Sequence, residues 1–468
     1  MSNSIVRIKS ITIKNFKNVI EGKISFGNNR KNYKASILGL YGQNGSGKTA
    51  LIDALSLLKY ILSGQSVPCQ YADCINVGSK IAELEYDLYV FDEEKNATYS
   101  VNYKFSLKKD SDVSVEKDSQ TDIFDSEDRA VIFDEVLSYS YECGEEKKRM
   151  SQMINTKTDE VFIPKSKYVD MTGNNNTIDL MVAKKMALST SKSFIFSNEI
   201  FNSIRKNCSG SQYEFLMNSL AWYGKYKLFV IDTKNMGLIS LDALPLSFRY
   251  ADDNMRAVGN LAIPLSGSKI IPQKAYDVVN TVIQNMNIVL SQLIPNLTID
   301  VKIVGMQIMK NGENGIVIEL VSNKNNKEIP LRYESEGIKK IISILQLLIV
   351  VYNNKSVTVA IDELDSGVFE YLLGEILRII SEKGKGQLIF TSHNLRPLET
   401  IDRGFVAFTT TNPKNRYIRF SNVKTNHNLR DFYYRDIILG EQNEPVYEVT
   451  NNHEISLAFR EAGEMCGS

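Results

Sequence analysis

The sequence predicts an α/β protein, a mixed β-sheet with helices that carries an antiparallel β lobe and a mainly helical insertion. Three observations predict it. Gly42-Gln43-Asn44-Gly45-Ser46-Gly47-Lys48-Thr49 fits G-x-x-x-x-G-K-[ST], a phosphate-binding loop, and lies between a strand-like run and a helical stripe. Long runs of period two follow it. Far downstream, a β-rich apolar run ends in Asp362-Glu363.

The loop has the context it needs. Ser36 to Tyr41 reads as a buried strand, and Leu51, Leu55, Leu58 and Leu62 fall on one face of a helix. Gly42, Gly45 and Gly47 let successive N–H groups turn inward toward a phosphate, and the helix start adds partial positive charge. Lys48 reaches the outer phosphates in such a loop, and the Thr49 hydroxyl ligates Mg²⁺.

Bulk properties narrow the classes. A chain of 468 residues with 43% hydrophobic content is long enough for two or three domains, or one with a large insertion. Lys plus Arg equals Asp plus Glu, 55 each, so no overall charge argues for nucleic acid or a membrane surface. Five scattered cysteines without metal spacing fit a reducing compartment, and three histidines exclude a histidine-rich metal site. The N-terminus lacks signal-peptide features, and the longest apolar run, Ile341 to Tyr352, is broken by Ser343 and Gln346 and is too short to cross a bilayer. A soluble cytoplasmic protein is expected.

In chain order, Ile11-Thr12-Ile13 and Lys23 to Phe26 read as two strands with a bend at Asn15–Asn18, followed by a loop at 28–32. Ala82 to Phe91, Tyr99 to Phe105 and Val131 to Tyr141 alternate, as in a sheet wet on one face. The polar stretch Lys108 to Asp128 interrupts them as a surface loop. Asn174–Asn176 is a break between the lobe and residues of mixed helical spacing, Ile178 to Leu188 and Phe201 to Leu220. Leu228 to Asp232 is strand-like. From Gln273 to Ile294, Val279, Val282, Ile283, Met286, Val289, Leu290 and Leu293 form one helical stripe that Pro295 ends. Residues 297–304 and 315–321 read as strands around a turn at Asn311–Gly315. No heptads persist and no repeats occur. The boundaries drawn are 1–150, 151–295, 296–412 and 413–468.

The second half of the site begins at Tyr333-Glu334-Ser335-Glu336-Gly337, before the apolar helix. Ser335 and the Gly337 amide sit at a helix start, an anion site by geometry. Val357 to Ile361 ends in Asp362, placed to hold Mg²⁺, and Glu363, placed to deprotonate an attacking water. Leu364-Asp365-Ser366-Gly367 follows. Leu388-Ile389-Phe390 ends in Thr391-Ser392-His393-Asn394, and a histidine there can donate to a γ-phosphate.

This set resembles the ABC-type ATPase heads. The phosphate loop matches Gly42 to Thr49, the acid pair Asp362 and Glu363, the D-loop Leu364 to Ser366 and the switch histidine His393. The signature, usually L-S-G-G-Q, is reduced to Ser335-Glu336-Gly337. That form resembles the branch containing OLD-family ATPases and the ATP-binding subunits of phage-defence systems. The resemblance covers roughly 1–145 and 296–410. It implies ATP and Mg²⁺ as cofactors. Gly42, Asn44, Gly45, Ser46, Gly47, Lys48, Thr49, Ser335, Gly337 and Asp365 would contact nucleotide, and Thr49 and Asp362 the metal. It also implies a dimer in which the Lys48 loop of one protomer faces Ser335 and Gly337 of the other, with dimers stacking into a larger ring such as a hexamer. The altered signature points to slow hydrolysis. No Q-loop glutamine is evident; Gln65 and Gln70 are the candidates.

OLD nucleases carry a Toprim domain after the ATPase, which needs an Asp-x-Asp pair. None occurs after residue 400, and Asp110-Ser111-Asp112 lies in the polar loop. The effector is therefore expected to be a separate protein. The resemblance is to the ATPase subunit of the PARIS system, whose partner is a Toprim nuclease (AriB), with the Septu ATPase, partnered by an HNH nuclease, close behind. It implies a subunit that restrains a nuclease and releases it on meeting a phage trigger protein. A RecF- or SMC-like DNA-repair ATPase would show a basic groove and salt-dependent DNA binding; neutral charge and missing arms argue against it. A transporter ATPase would need a full signature and a membrane partner. The stretch after 412, with Asn428 to Tyr434 and His453 to Ala462, either docks partners or packs on the head.

Overall fold

The structure, a computed structural model, describes residues 4–27, 36–110, 128–173, 177–232, 243–252, 255–309, 312–325, 327–420, 428–440, 442–448 and 450–465. The loop at 28–32, the core of the polar stretch with Asp112, the break at Asn174–Asn176 and the start of the turn at Asn311 lie outside the described residues.

Six short strands form a central sheet in the order Tyr417–Ile418, Val406–Thr409, Ser36–Tyr41, Gln387–Thr391, Thr358–Ile361, Leu228–Ile231. Neighbours run parallel except Tyr417–Ile418, which is antiparallel to Val406–Thr409. These strands are apolar without alternation because both faces are covered. Leu38, Leu40 and Val230 enter the core beneath the phosphate-loop helix, Lys48–Leu62. Ile37, Tyr41, Phe229 and Ile231 enter the opposite core with the helix Glu336–Asn353.

A second, antiparallel sheet of six strands has the order Val19–Ser25, Ser4–Phe16, Ile81–Asp92, Ala97–Asp110, Arg129–Cys143, Glu146–Asn155. Leu84, Tyr86, Leu88 and Val90 are buried on its inner face, as their alternation predicts. The Lys48–Leu62 helix lies between the two sheets. It is therefore buried on every side, not on the leucine face alone, and even Asp53, Ser56 and Lys59 are inside. Each such polar group needs a partner: Asp53 pairs with Lys17, and Lys59 Nζ donates to the Leu228 carbonyl at 2.5 Å.

Residues 151–295 hold the helices Lys165–Thr172, Thr177–Ser189, Asn198–Asn207, Gln212–Tyr226 and Gln273–Leu293. Alongside them the segment supplies the edge strand Leu228–Ile231 of the central sheet and a hairpin, Ala243–Asp252 with Met255–Pro264. A third sheet joins Ser268–Pro272, Asn314–Lys324 and Leu297–Ile308, with Lys327–Pro330 on Asn314–Lys324. Helix Gln273–Leu293 lies on it through Val279, Ile283, Met286 and Leu290. Asn287 exchanges two 2.8 Å hydrogen bonds with the Ile299 backbone there.

Candidate functional site

Parallel strands present their carboxyl ends on one edge, where ligands bind in such sheets. Five of the six central strands end there, at Tyr41, Thr391, Ile361, Thr409 and Ile231. The sequence-predicted residues follow three of these ends directly.

At the first end the chain turns through the phosphate loop. Gly45 (φ +74°) and Gly47 (φ +96°) have left-handed backbones, and Gly47 caps the helix that begins at Lys48. A Cβ on Gly42 would collide with the Thr409 hydroxyl. The loop's carbonyls are tied outward by side chains from elsewhere. Asn18 donates to the Gly45 carbonyl, and Tyr417 Oη donates to Gly47 at 2.9 Å. Arg416, buried beside Gly47, donates to the carbonyls of Asn18 (2.7 Å) and Thr410 (2.6 Å). Ser46 Oγ meets Thr409 Oγ1. With these carbonyls engaged, the glycines can turn loop amides toward an anion, while Ser46 N donates to the Gln43 carbonyl at 3.3 Å. Asn44 and Gly45 are exposed, and Thr49 is the second residue of the helix.

Lys48 folds back over its own loop and donates to the carbonyls of Gly42 (2.8 Å) and Gln43 (3.0 Å). Burial lowers its pKa to about 8. Asp362, Glu363 and Asp365 oppose that shift, so all three carboxylates lie within electrostatic reach of the ammonium.

Asp362 is buried at the end of Thr358–Ile361. Thr391, at the end of the next strand, serves both acids: its Oγ1 donates to Asp362 Oδ1 at 2.5 Å and accepts from Glu363 N at 2.8 Å. Glu363 has φ +48°, a left-handed backbone uncommon for a residue with a side chain. Asp365 Oδ2 accepts from the amides of His393 (3.1 Å) and Asn394 (2.9 Å), and its Oδ1 is buried with no partner among the described residues. His393 is thus held by its backbone, while its imidazole is exposed.

Ser335 caps helix Glu336–Asn353 by accepting from Ile338 N at 3.4 Å, and it faces solvent. Gly337 packs on the Gly367 turn, and a Cβ there would collide with the Gly367 carbonyl. Ser335 and Gly337 therefore join the acids through this turn, not through the phosphate loop of their own chain.

Sequence reasoning missed the supporting residues Asn18, Thr391, Thr409, Arg416 and Tyr417. Their partners are fixed by folding, not by spacing. Gln65 and Gln70 are the two glutamines that the sequence offers for the Q-loop. Gln65 follows the far end of a 15-residue helix, roughly 22 Å along its axis from the loop. Gln70 lies in the 3₁₀ turn Cys69–Cys74. The residue next to Asp362 on the adjacent strand end is Asp232, since Ile231 pairs with Ile361 and Asp362 N donates to the Ile231 carbonyl. A cavity of about 1220 Å³ lies away from these strand ends, lined by Asp92, Lys95, Glu199, Arg205 and Trp222. Its lining carries both signs of charge, with Glu94 and Glu214 beside Lys192 and Lys225.

Two family models match the chain. Residues 10–218 match an "AAA domain", and residues 240–399 match an "AAA domain, putative AbiEii toxin, Type IV TA system". The phosphate loop falls in the first and the acids and His393 in the second, so the site spans both AAA-domain matches. No curated protein matches it. Similar solved structures include an Smc head bound to the C-terminal winged-helix domain of ScpA (11% identity over 89% of this chain and 98% of that one, TM-score 0.40). The SMC head domain from Thermotoga maritima is 13% identical over 89% and 99%, with a TM-score of 0.35. The recombination mediator protein RecF is 12% identical over 89% and 98%, also at 0.35. No helix among the described residues is long and apolar enough to cross a membrane.

Proposed function

We propose that this chain binds and hydrolyses ATP at the strand ends, in a site completed by a second copy. The reading rests on one observation: Lys48, after one strand, lies within reach of Asp362, Glu363 and Asp365, after another. A cation within electrostatic reach of three carboxylates, on a glycine loop, suits a triphosphate with its metal. The donor set fits Mg²⁺, which takes hard oxygen ligands: Thr49 and Asp362 would hold it, and it would neutralise charge building on the phosphates. Lys48 leaves the Gly42 and Gln43 carbonyls for the outer phosphates. Glu363 takes a proton from the attacking water, and His393 donates toward the γ-phosphate. Asp365 fixes the His393 backbone. Ser335, exposed on its own chain, and the half-buried Gly337 amide close over the triphosphate of a second copy, as a dimer of heads within a larger ring.

The test is direct. Lys48→Ala should lose ATP binding, and Glu363→Gln should bind ATP and retain it unhydrolysed. Hydrolysis at the parent rate by both would sink the reading.

The finer reading is an AriA-like sensor and scaffold of a bacterial anti-phage defence system, which restrains a Toprim nuclease and frees it when a phage trigger protein binds. It draws support from the reduced Ser335-Glu336-Gly337 start and from a family description that includes a toxin–antitoxin system. Co-purification with a co-expressed AriB-like Toprim nuclease is the expected result. An HNH nuclease captured instead would favour the Septu arrangement, and capture of neither would exclude both.

A further inference from the structure

Two lysines sit side by side in the helix Glu336–Asn353, and the site described above uses neither. Lys339 spends its charge near the surface, on Glu336 at 2.5 Å. Lys340 points inward. It is 6% exposed, and its Nζ donates to the Glu363 carbonyl at 3.3 Å. Filling space alone would favour an apolar side chain, because a buried ammonium is costly unless it is held. The carboxylates of Asp365, Glu363 and Asp362 face it, and they counter the burial that lowers its pKa.

We propose that Lys340 is a positioning residue: it holds the Glu363 carbonyl and so fixes the left-handed turn that aims the Glu363 carboxylate. This rests on the ATPase reading of the site. The turn needs such a hold, because a side-chain-bearing residue at φ +48° returns to ordinary backbone unless its surroundings prevent it. Thr391 grips the turn from one side, through Glu363 N at 2.8 Å and Leu364 N at 3.0 Å. Lys340 grips the opposite, carbonyl side of the same residue, to which Ser366 N also donates at 3.1 Å. Further along the turn, Gly367 rests directly on Gly337. Acid, turn and the first turns of the helix therefore form one block. Lys340 lies little more than one helical turn from the exposed Ser335 cap, so a phosphate held at that cap by a second copy acts on the block that carries Glu363.

The full-length chain serves for the test. Lys340→Met keeps the length and apolar stem and removes the charge. It is expected to lower kcat for ATP by tenfold or more, since a displacement of about 1 Å can cost on the order of a hundredfold. KM and affinity for a fluorescent ATP analogue should stay within about threefold. Lys340→Arg should recover kcat to within about threefold of the parent, which a space-filling role would not produce. If Lys340→Met lowers the melting temperature, Lys340→Gln measured at a temperature where it is folded provides the same comparison. Parent kcat in a folded Lys340→Met or Lys340→Gln overturns the proposal, as does loss of activity that Lys340→Arg does not recover. Glu363→Gln separates the two levels: if it too hydrolyses at the parent rate, the ATPase reading has failed and not merely the part given to Lys340.

Discussion

Near neutral pH the Lys48 ammonium stays charged although burial lowers its pKa to about 8. Phosphates favour the charged form, so the bound lysine keeps its proton to higher pH than the free one. Above about pH 8, binding must take up a proton. Affinity for MgATP is then expected to fall as pH rises, by up to about tenfold per unit. Titration with a fluorescent analogue from pH 7 to 9.5 measures it, and an affinity that does not change would remove Lys48 from the phosphates. Thr391 is the other single residue on which much depends. Thr391→Val keeps its shape but strips Asp362 of a donor and Glu363 N of an acceptor. A loss of about 2–3 kcal/mol is expected by denaturant titration, because bonds to charged groups are the stronger kind. Hydrolysis should fall with it. Lys48, Asp362 and Glu363 were legible because a motif fixes their spacing. Thr391 was visible only as the end of a strand. Tyr417, which steadies Gly47 from 370 positions away, has no local signal at all.

Among the elements, the Lys48–Leu62 helix shows what periodicity can and cannot tell. Leucine spacing identifies a helix and its apolar face. It does not reveal that a second sheet covers the other face, because Asp53 and Lys59 read as solvent-facing until their partners on other elements are known. Leu55 is fully buried between the layers. Leu55→Ala is expected to cost about 2–5 kcal/mol in chemical denaturation, the range for a cavity that cannot collapse. A cost below about 1 kcal/mol would mean that the layers close over the gap. The strands were easier to read. Ile81–Asp92 and Ala97–Asp110 show their alternation openly, and Leu228–Ile231 and Thr358–Ile361 show the unbroken apolar runs of a doubly covered sheet. Their order in the sheet was not legible, since parallel neighbours are joined by long crossovers that leave no turn signature.

For the molecule as a whole, the phosphate loop is finished by the last quarter of the chain. Thr409, Arg416 and Tyr417 all press on it, and Glu448 N donates to Gln43 Oε1 at 2.9 Å. Part of the stretch after 412 therefore packs on the head, one of the two outcomes the sequence left open. The helix Asn452–Met465 differs, because its residues through Gly463 are exposed. Two truncations should separate these roles. A chain ending at residue 405 loses two strands of the central sheet and all four of these supports of the loop, and is expected to lose ATP binding or solubility. A chain ending at residue 450 should bind ATP within about twofold of the parent. Equal behaviour of the two in a binding assay would show that the C-terminal strands do not shape the loop.

The contact between Gly337 and Gly367 sets a limit on how this protein can change. Where two side chains crowd each other, shortening one makes room for growth of the other. Here backbone meets backbone, and neither neighbour has an atom to give up. A methyl introduced at Gly337 could be accommodated only by moving a whole stretch of main chain, and that stretch also bears Glu363 and Asp365. Suppressors of Gly337→Ala should accordingly arise as changes in loop length or helix register, never as a smaller residue across the gap.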